Sequence, residues 1–153
     1  MQENNIEYIK AYIDKPESEN FYIDAFLDYT RNGVEQFKWH WSWWALGGGV
    51  FFLLYRKLYI EALVFFLISS LASTVPVAYL IIWVVSGALF PYLVFKRYKK
   101  GLEMVEHLRS EDEKIRALRE FGGYNQWAIY IGVVVNIISV IGFVYMFTLF
   151  TAM

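Results

Sequence analysis

The chain has 153 residues, of which 58% are apolar and 19% charged, with a net charge of −1 and no cysteine. Soluble domains average about 45–50% apolar and about a quarter charged. A near-neutral balance argues against an extended nucleic-acid surface, and the missing thiols exclude disulfides, thiolate metal sites, cysteine nucleophiles and lipidated cysteines.

The apolar residues fall in a few blocks and the charges in others, which is a membrane pattern. Residues 1–38 read as soluble amphipathic helices. Their first twenty residues are polar and acidic, which predicts no signal peptide. Ile6, Ile9, Tyr12 and Ile13 share one face of a helix that ends before Pro16. A second helix is predicted from Pro16, with Glu17 and Glu19 near its positive end. Phe21, Tyr22, Ala25, Phe26 and Tyr29 line one side of it, and Asn32-Gly33 stops it.

Four of the six tryptophans then fall in Trp39-His40-Trp41-Ser42-Trp43-Trp44. A buried indole N–H needs a partner, whereas at a bilayer surface the ring sits in hydrocarbon with its N–H among headgroups. Trp39, Trp41, Trp43 and Trp44, with Trp127 further on, are therefore the expected interface anchors. The stretch Trp41–Tyr55 is short for a span and carries Gly47-Gly48-Gly49, so it reads as an interfacial or re-entrant segment. His40 is expected to point into the interface between the tryptophans.

Three longer blocks, Leu58–Thr74, Val77–Phe95 and Trp127–Phe150, are apolar enough to span a bilayer, which takes about 20 residues. The insert 96–126 carries eight Lys/Arg, whereas 69–76 carries none. The positive-inside rule puts 96–126 in the cytoplasm and 69–76 outside. The N-terminus is then cytoplasmic if 41–55 does not cross, the preferred reading, since a crossing would require export of an acidic tail of about forty residues. Arg56, Lys57, Lys96, Arg97, Lys99 and Lys100 form the basic cluster that sets topology or meets acidic lipid. Within the insert, Ser110 and Glu113 have capping-box spacing, Gly122-Gly123 closes a helix, and Asn125 caps the last span.

Polar residues inside spans are often functional or mediate packing. Glu61 lies one turn into the first span and is expected to pair with Lys57 or Arg56. Ala128, Gly132, Asn136 and Ser139 follow one another at helical spacing, a stripe suited to close helix contact across which Asn136 could bond. Ala62, Ser69 and Ser73 make a similar small face. No phosphate-binding loop, dinucleotide fingerprint or nucleophile elbow occurs, and His40 and His107 lack metal-ligand spacing. The sequence therefore predicts no catalytic residues, metal or cofactor.

The segment Trp41-Ser42-Trp43-Trp44-Ala45-Leu46-Gly47-Gly48-Gly49-Val50-Phe51-Phe52-Leu53-Leu54-Tyr55-Arg56-Lys57-Leu58-Tyr59 resembles the Trp/Phe-rich segment of an uncharacterised bacterial membrane-protein family, a domain of unknown function. The ending Leu53-Leu54-Tyr55-Arg56-Lys57-x-Tyr59 is its most specific part. The basic run Lys96–Lys100 and Gly122-Gly123 resemble the family's later pattern. Ser42 and Val50 stand where the family has asparagine and proline. The resemblance implies a small multi-pass protein of the bacterial inner membrane and implies no activity.

The expected architecture is all-α: soluble helices over 1–38, then a membrane domain over 39–153 with three spans, or four if 41–55 crosses. The expected role is a non-enzymatic scaffold or accessory component that organises protein partners or lipid at the cytoplasmic face. The alternative is a small oligomeric transporter or channel using the intramembrane polar residues. Expected partners are membrane lipid and a protein or second copy, with no nucleic acid.

Overall fold

The computed structural model describes residues 2–152, and all regular structure among them is helical. The order is α1 (Gln2–Ile13), α2 (Pro16–Tyr29), a 3-10 turn (Arg31–Gly33), α3 (Trp43–Gly48), α4 (Val50–Tyr55), α5 (Tyr59–Ala72), α6 (Pro76–Val105), α7 (Glu111–Phe121) and α8 (Gln126–Ala152). Pro16 and Pro76 each occupy the first turn of a helix, where the missing N–H costs nothing.

The core joins the polar-rich N-terminal helices to the apolar ones. Ile9, Tyr12, Ile13, Tyr22, Phe26 and Tyr29 pack with Phe52, Leu53, Leu58, Phe90, Val94, Phe95 and Tyr98. Burying each large side chain of this kind contributes about 1.5–3 kcal/mol. Ring contacts carry the seam between α2 and α6, with Phe26 5.3 Å from Phe95 and 5.1 Å from Tyr98. Helix α7 closes the other side through Leu118, which packs with Ala11 and Val105. Behind it, Gly122 approaches α1 so closely that a Cβ would lie 2.2 Å from the Tyr12 carbonyl oxygen. The Gly123 N–H donates to that same oxygen at 2.7 Å.

Beyond this core the helices are bare. Leu63, Phe66, Leu71, Val77, Leu80 and Ile81 on α5 and α6 are exposed, as are Ile131, Val135, Ile138 and Val144 on α8. Helices α6 and α8, of 30 and 27 residues, are long and apolar enough to cross a bilayer. The expectation of three spans is corrected to two by this measure. Helix α5 has 14 residues, about 21 Å at 1.5 Å per residue, against a hydrocarbon core of about 30 Å. Ser73, Thr74 and Val75 turn the chain before Pro76 starts the next helix.

Between the bare helices and the core lies an out-and-back segment. Residues 34–42 run extended along α6, α3 packs on α6, and α4 returns between α5 and α8. Gly49, at φ +50°, makes the break between α3 and α4. Helix α4 ends in a Schellman motif, with Leu58 N–H on the Leu53 carbonyl at 2.8 Å and Lys57 N–H on that of Leu54 at 3.1 Å. Lys57 therefore stands at φ +59°, a position suited to glycine. Its side chain donates to the Glu120 carbonyl at 3.2 Å, which ties α4 to the end of α7.

Candidate functional site

The out-and-back segment gathers most of the residues singled out in the sequence. Along the extended stretch, Phe37, Trp39, Trp41 and Trp43 form a ladder, with successive ring centroids 6.5, 6.3 and 5.4 Å apart. Lys38 and His40 alternate with them and point to α2. The period of two is that of a strand, although no partner strand is present among the described residues.

Pro91 fixes where this stretch lands. A proline inside a helix cannot donate to the carbonyl four residues earlier, which here is Gly87. That carbonyl accepts instead from the Ser42 N–H at 2.9 Å. Gly87 has no Cβ, and one placed there would meet the Trp41 ring at 2.9 Å. Ser42 then caps α3, its Oγ accepting from the Ala45 N–H at 3.2 Å. The four clustered tryptophans do not share one environment. Trp41 packs on Gly87 with its indole N–H buried and unpartnered, whereas Trp39, Trp43 and Trp44 are 59%, 74% and 85% exposed. Trp127 is exposed at the start of α8.

On the polar side, Asp28 accepts from Lys38 Nζ at 2.6 Å and meets His40 Nε2 at 3.1 Å. His40 also stands edge-on to the Tyr29 ring at 5.3 Å. It thus faces α2, away from the tryptophans on either side, which corrects the expected orientation. The Lys38 ammonium, and after it His40, hold the Asp28 carboxyl below its ordinary range. A second tie binds the start of the stretch: Glu35 accepts from Lys99 and from the Tyr92 hydroxyl, both at 2.9 Å. His107 lies exposed in the turn after α6.

The basic cluster is largely engaged within the fold. Arg56 is 4% exposed. It donates through Nη1 to the Ile13 carbonyl at 3.1 Å and through Nη2 to Ser18 Oγ at 3.2 Å. Its guanidinium lies 4.7 Å from the Tyr22 ring centroid and 5.3 Å from that of Tyr55. Arg97 lies over Phe121, Lys96 over Tyr92, and Lys99 is paired with Glu35. Lys100 is exposed. Glu61 forms no ion pair among the described residues, because Arg56 and Lys57 are turned to α1, α2 and α7.

The stripe on α8 divides. Ala128 is buried, and Gly132 sits against Phe51 of α4, where a Cβ would lie 3.0 Å from the ring. Asn136 and Ser139 are exposed, and each side chain donates to its own helix, to Gly132 and Val135 carbonyls at 2.7 and 2.8 Å. Among the described residues, the expected bond across helices is therefore not formed. Asn125 donates its amide to the Leu54 carbonyl at 3.3 Å and the Tyr59 hydroxyl at 2.6 Å, fastening the start of α8 to α4 and α5. Ser110 occupies the N-cap of α7 without a side-chain cap bond.

No group of His, Asp or Glu among the described residues is arranged to hold a metal ion. No protein-family model, curated protein or solved structure matches the chain.

Two expectations follow from this geometry. Pro91→Ala gives the Gly87 carbonyl a helical donor that competes with Ser42, so amide exchange at Ser42 should accelerate while α6 stays folded. Gly87→Ala should destabilise the protein by about 1–3 kcal/mol, the usual cost of overpacking, with the same acceleration. Unchanged exchange at Ser42 in both variants would count against the Pro91–Gly87 mechanism.

Asp28 sets an acid limit. A carboxyl held below its ordinary range adds stability that is complete above that range and lost as pH falls through its lower folded value. Acid titration followed by tryptophan emission should show the ladder loosening at that lower pH. Asp28→Asn should show the looser emission at neutral pH and no acid step; an unchanged acid step would assign it to another group.

Proposed function

We propose that the protein is a non-enzymatic, multi-pass component of the bacterial inner membrane that organises protein partners or lipid at its cytoplasmic face. The observation that carries this reading is the one-sided distribution of charge. Residues 62–95 and 121–153 contain no Asp, Glu, Lys or Arg, so every charged side chain belongs to the end that holds α1, α2 and α7. The bare faces of α5, α6 and α8 suit hydrocarbon, where backbone groups must be satisfied within helices. The basic residues of α6 support a cytoplasmic position for the charged end under the positive-inside rule.

In this frame the out-and-back segment is re-entrant. Gly87 lies nine residues before Lys96 on α6, about 13 Å along the helix. Trp41 and Ser42 then stand near the middle of the hydrocarbon, while Arg56 returns to the charged end beside Ile13 and Ser18. A transport role draws less support. Ser70, Asn136, Ser139, Thr148 and Thr151 each donate to a carbonyl of their own helix, so none of these five side chains donates across to a neighbouring helix among the described residues.

The chain lacks cysteine, so single cysteines can be labelled without background. Asn20→Cys and Glu113→Cys should resist a membrane-impermeant maleimide in intact cells and react after permeabilisation. Ser73→Cys should react in intact cells. Labelling of Asn20→Cys but not of Ser73→Cys in intact cells would reverse the topology and remove the cytoplasmic reading.

A further inference from the structure

We propose that the outward edge of the extended stretch, at Phe37, Trp39 and Trp41, is a docking site for an extended segment of a partner polypeptide, which adds to it as a second strand. In an extended chain a residue's N–H and C=O point to one side and those of its neighbours to the other. The Gln36 N–H donates to the Tyr29 carbonyl at 2.8 Å, and the Ser42 N–H donates to that of Gly87 at 2.9 Å. Both bonds run inward, to the end of α2 and to α6, and both come from even positions. The N–H and C=O groups of Phe37, Trp39 and Trp41 therefore face outward. None of them has a hydrogen-bond partner among the described residues. The side chains leave this edge open: Lys38 and His40 turn to Asp28 on α2, Phe37 lies against Tyr92 of α6 and Trp41 against Gly87.

The chemistry of the edge names its occupant. Donors and acceptors alternate along it, and a second extended backbone matches that pattern group for group, as in recognition by strand addition. The exposed rings of Phe37 and Trp39 beside it give apolar contact to alternate side chains of such a strand. The devices that usually guard a free edge are missing. No proline stands in 34–42, and the charges nearest the edge are tied down, Lys38 to Asp28 and Glu35 to Lys99. Acyl chains offer these backbone groups no bond, so a bilayer raises the cost of leaving them bare. A second copy is the wrong occupant. A two-fold axis along the strand would set each N–H against the same N–H, so this edge pairs symmetrically with itself only in antiparallel fashion. The stretch runs along α6, from Glu35 at Lys99 to Ser42 at Gly87, and antiparallel pairing would invert one copy across the membrane. The choice of a foreign polypeptide thus rests on the membrane reading proposed above, whereas the edge itself does not.

The test uses the full-length protein in neutral detergent and follows amide exchange residue by residue. The probe is an acetylated and amidated peptide, Lys-Val-Thr-Val-Thr-Val-Thr-Lys, and the control is the same peptide N-methylated at every valine and threonine. The probe should slow exchange at Phe37, Trp39 and Trp41 by about fivefold or more, the usual net effect of an amide hydrogen bond. Lys38 and His40, whose N–H groups face inward, should be unchanged, and the control should protect none of these positions. Trp39→Pro removes one outward N–H and should abolish the protection at Phe37 and Trp41, whereas Trp39→Ala keeps that N–H and should retain it. Absence of protection by the probe overturns the proposal. So does equal protection of odd and even positions, or protection by the control peptide. Loss of protection in both variants would assign binding to the Trp39 ring and overturn strand addition. Protection in the protein alone that grows with its concentration would give the edge to a second copy and overturn the foreign partner. The membrane reading is judged separately by cysteine labelling, so its failure is distinguishable from failure of the edge.

Discussion

The bond from the Ser42 N–H to the Gly87 carbonyl decides how the middle of this chain is arranged. It exists because Pro91 brings no N–H to a carbonyl that an ordinary helix would satisfy. The vacant acceptor captures the extended stretch, and the absent Cβ at Gly87 leaves room for Trp41 beside it. With Ser42 held, α3 starts from a capped position, Gly49 breaks the helix, and α4 is directed back between α5 and α8. A single proline in α6 thus governs where a stretch more than forty residues earlier in the chain is held.

Arg56 receives that segment at the other end. A buried guanidinium without a carboxylate is unusual, and its surroundings explain how it is tolerated. The Ile13 carbonyl lies at the C-terminus of α1, where the helix dipole is negative, and two tyrosine faces add cation–π attraction. The same burial that isolates Arg56 pushes the Tyr22 hydroxyl upward from its ordinary pKa, with Arg56 opposing the shift. These contacts join α1, α2 and α4 into one unit, so the charged end and the out-and-back segment form a shared core. A scaffold role benefits from this arrangement, because partners bound at the charged end would meet a surface fixed by the apolar helices.

Much of this was legible in the sequence where the signal is local. Proline at position 16 and the apolar spacing of Ile6, Ile9 and Ile13 marked the end of α1 and the start of α2 within a residue or two, whereas α2 stops at Tyr29, ahead of Asn32-Gly33. Gly122-Gly123 marked the end of α7, although its tight approach to Tyr12 is a long-range fact. The tryptophan cluster was noticeable by density, but its alternation with Lys38, His40 and Ser42 carried the structural information: a period of two, hence an extended stretch with two different faces. Pro91 was a readable signal as well, since any proline inside a helix frees a carbonyl four residues earlier. What no spacing rule could supply was the partner of each freed or charged group. Asp28 with His40, Arg56 with Ile13 and Ser18, and Lys99 with Glu35 are brought together only by the packing of separate helices. Arg56 read as one of a basic cluster facing lipid or water because basic residues usually do, and Asn136 read as a bridge because it continues the stripe of Ala128 and Gly132, whereas its amide is satisfied locally by the Gly132 carbonyl.

The depth of the tryptophans tests the account most directly. Two variants, one retaining only Trp44 and the other only Trp127, would be reconstituted in bilayers whose lipids carry bromine either near the headgroup or near the acyl-chain ends. The re-entrant arrangement predicts that Trp44 is quenched more strongly by the deep bromines, whereas Trp127, beside Asn125 at the charged end, is quenched more strongly by the shallow ones. Equal preference of both tryptophans for the shallow bromines would contradict it and return residues 34–56 to the bilayer surface.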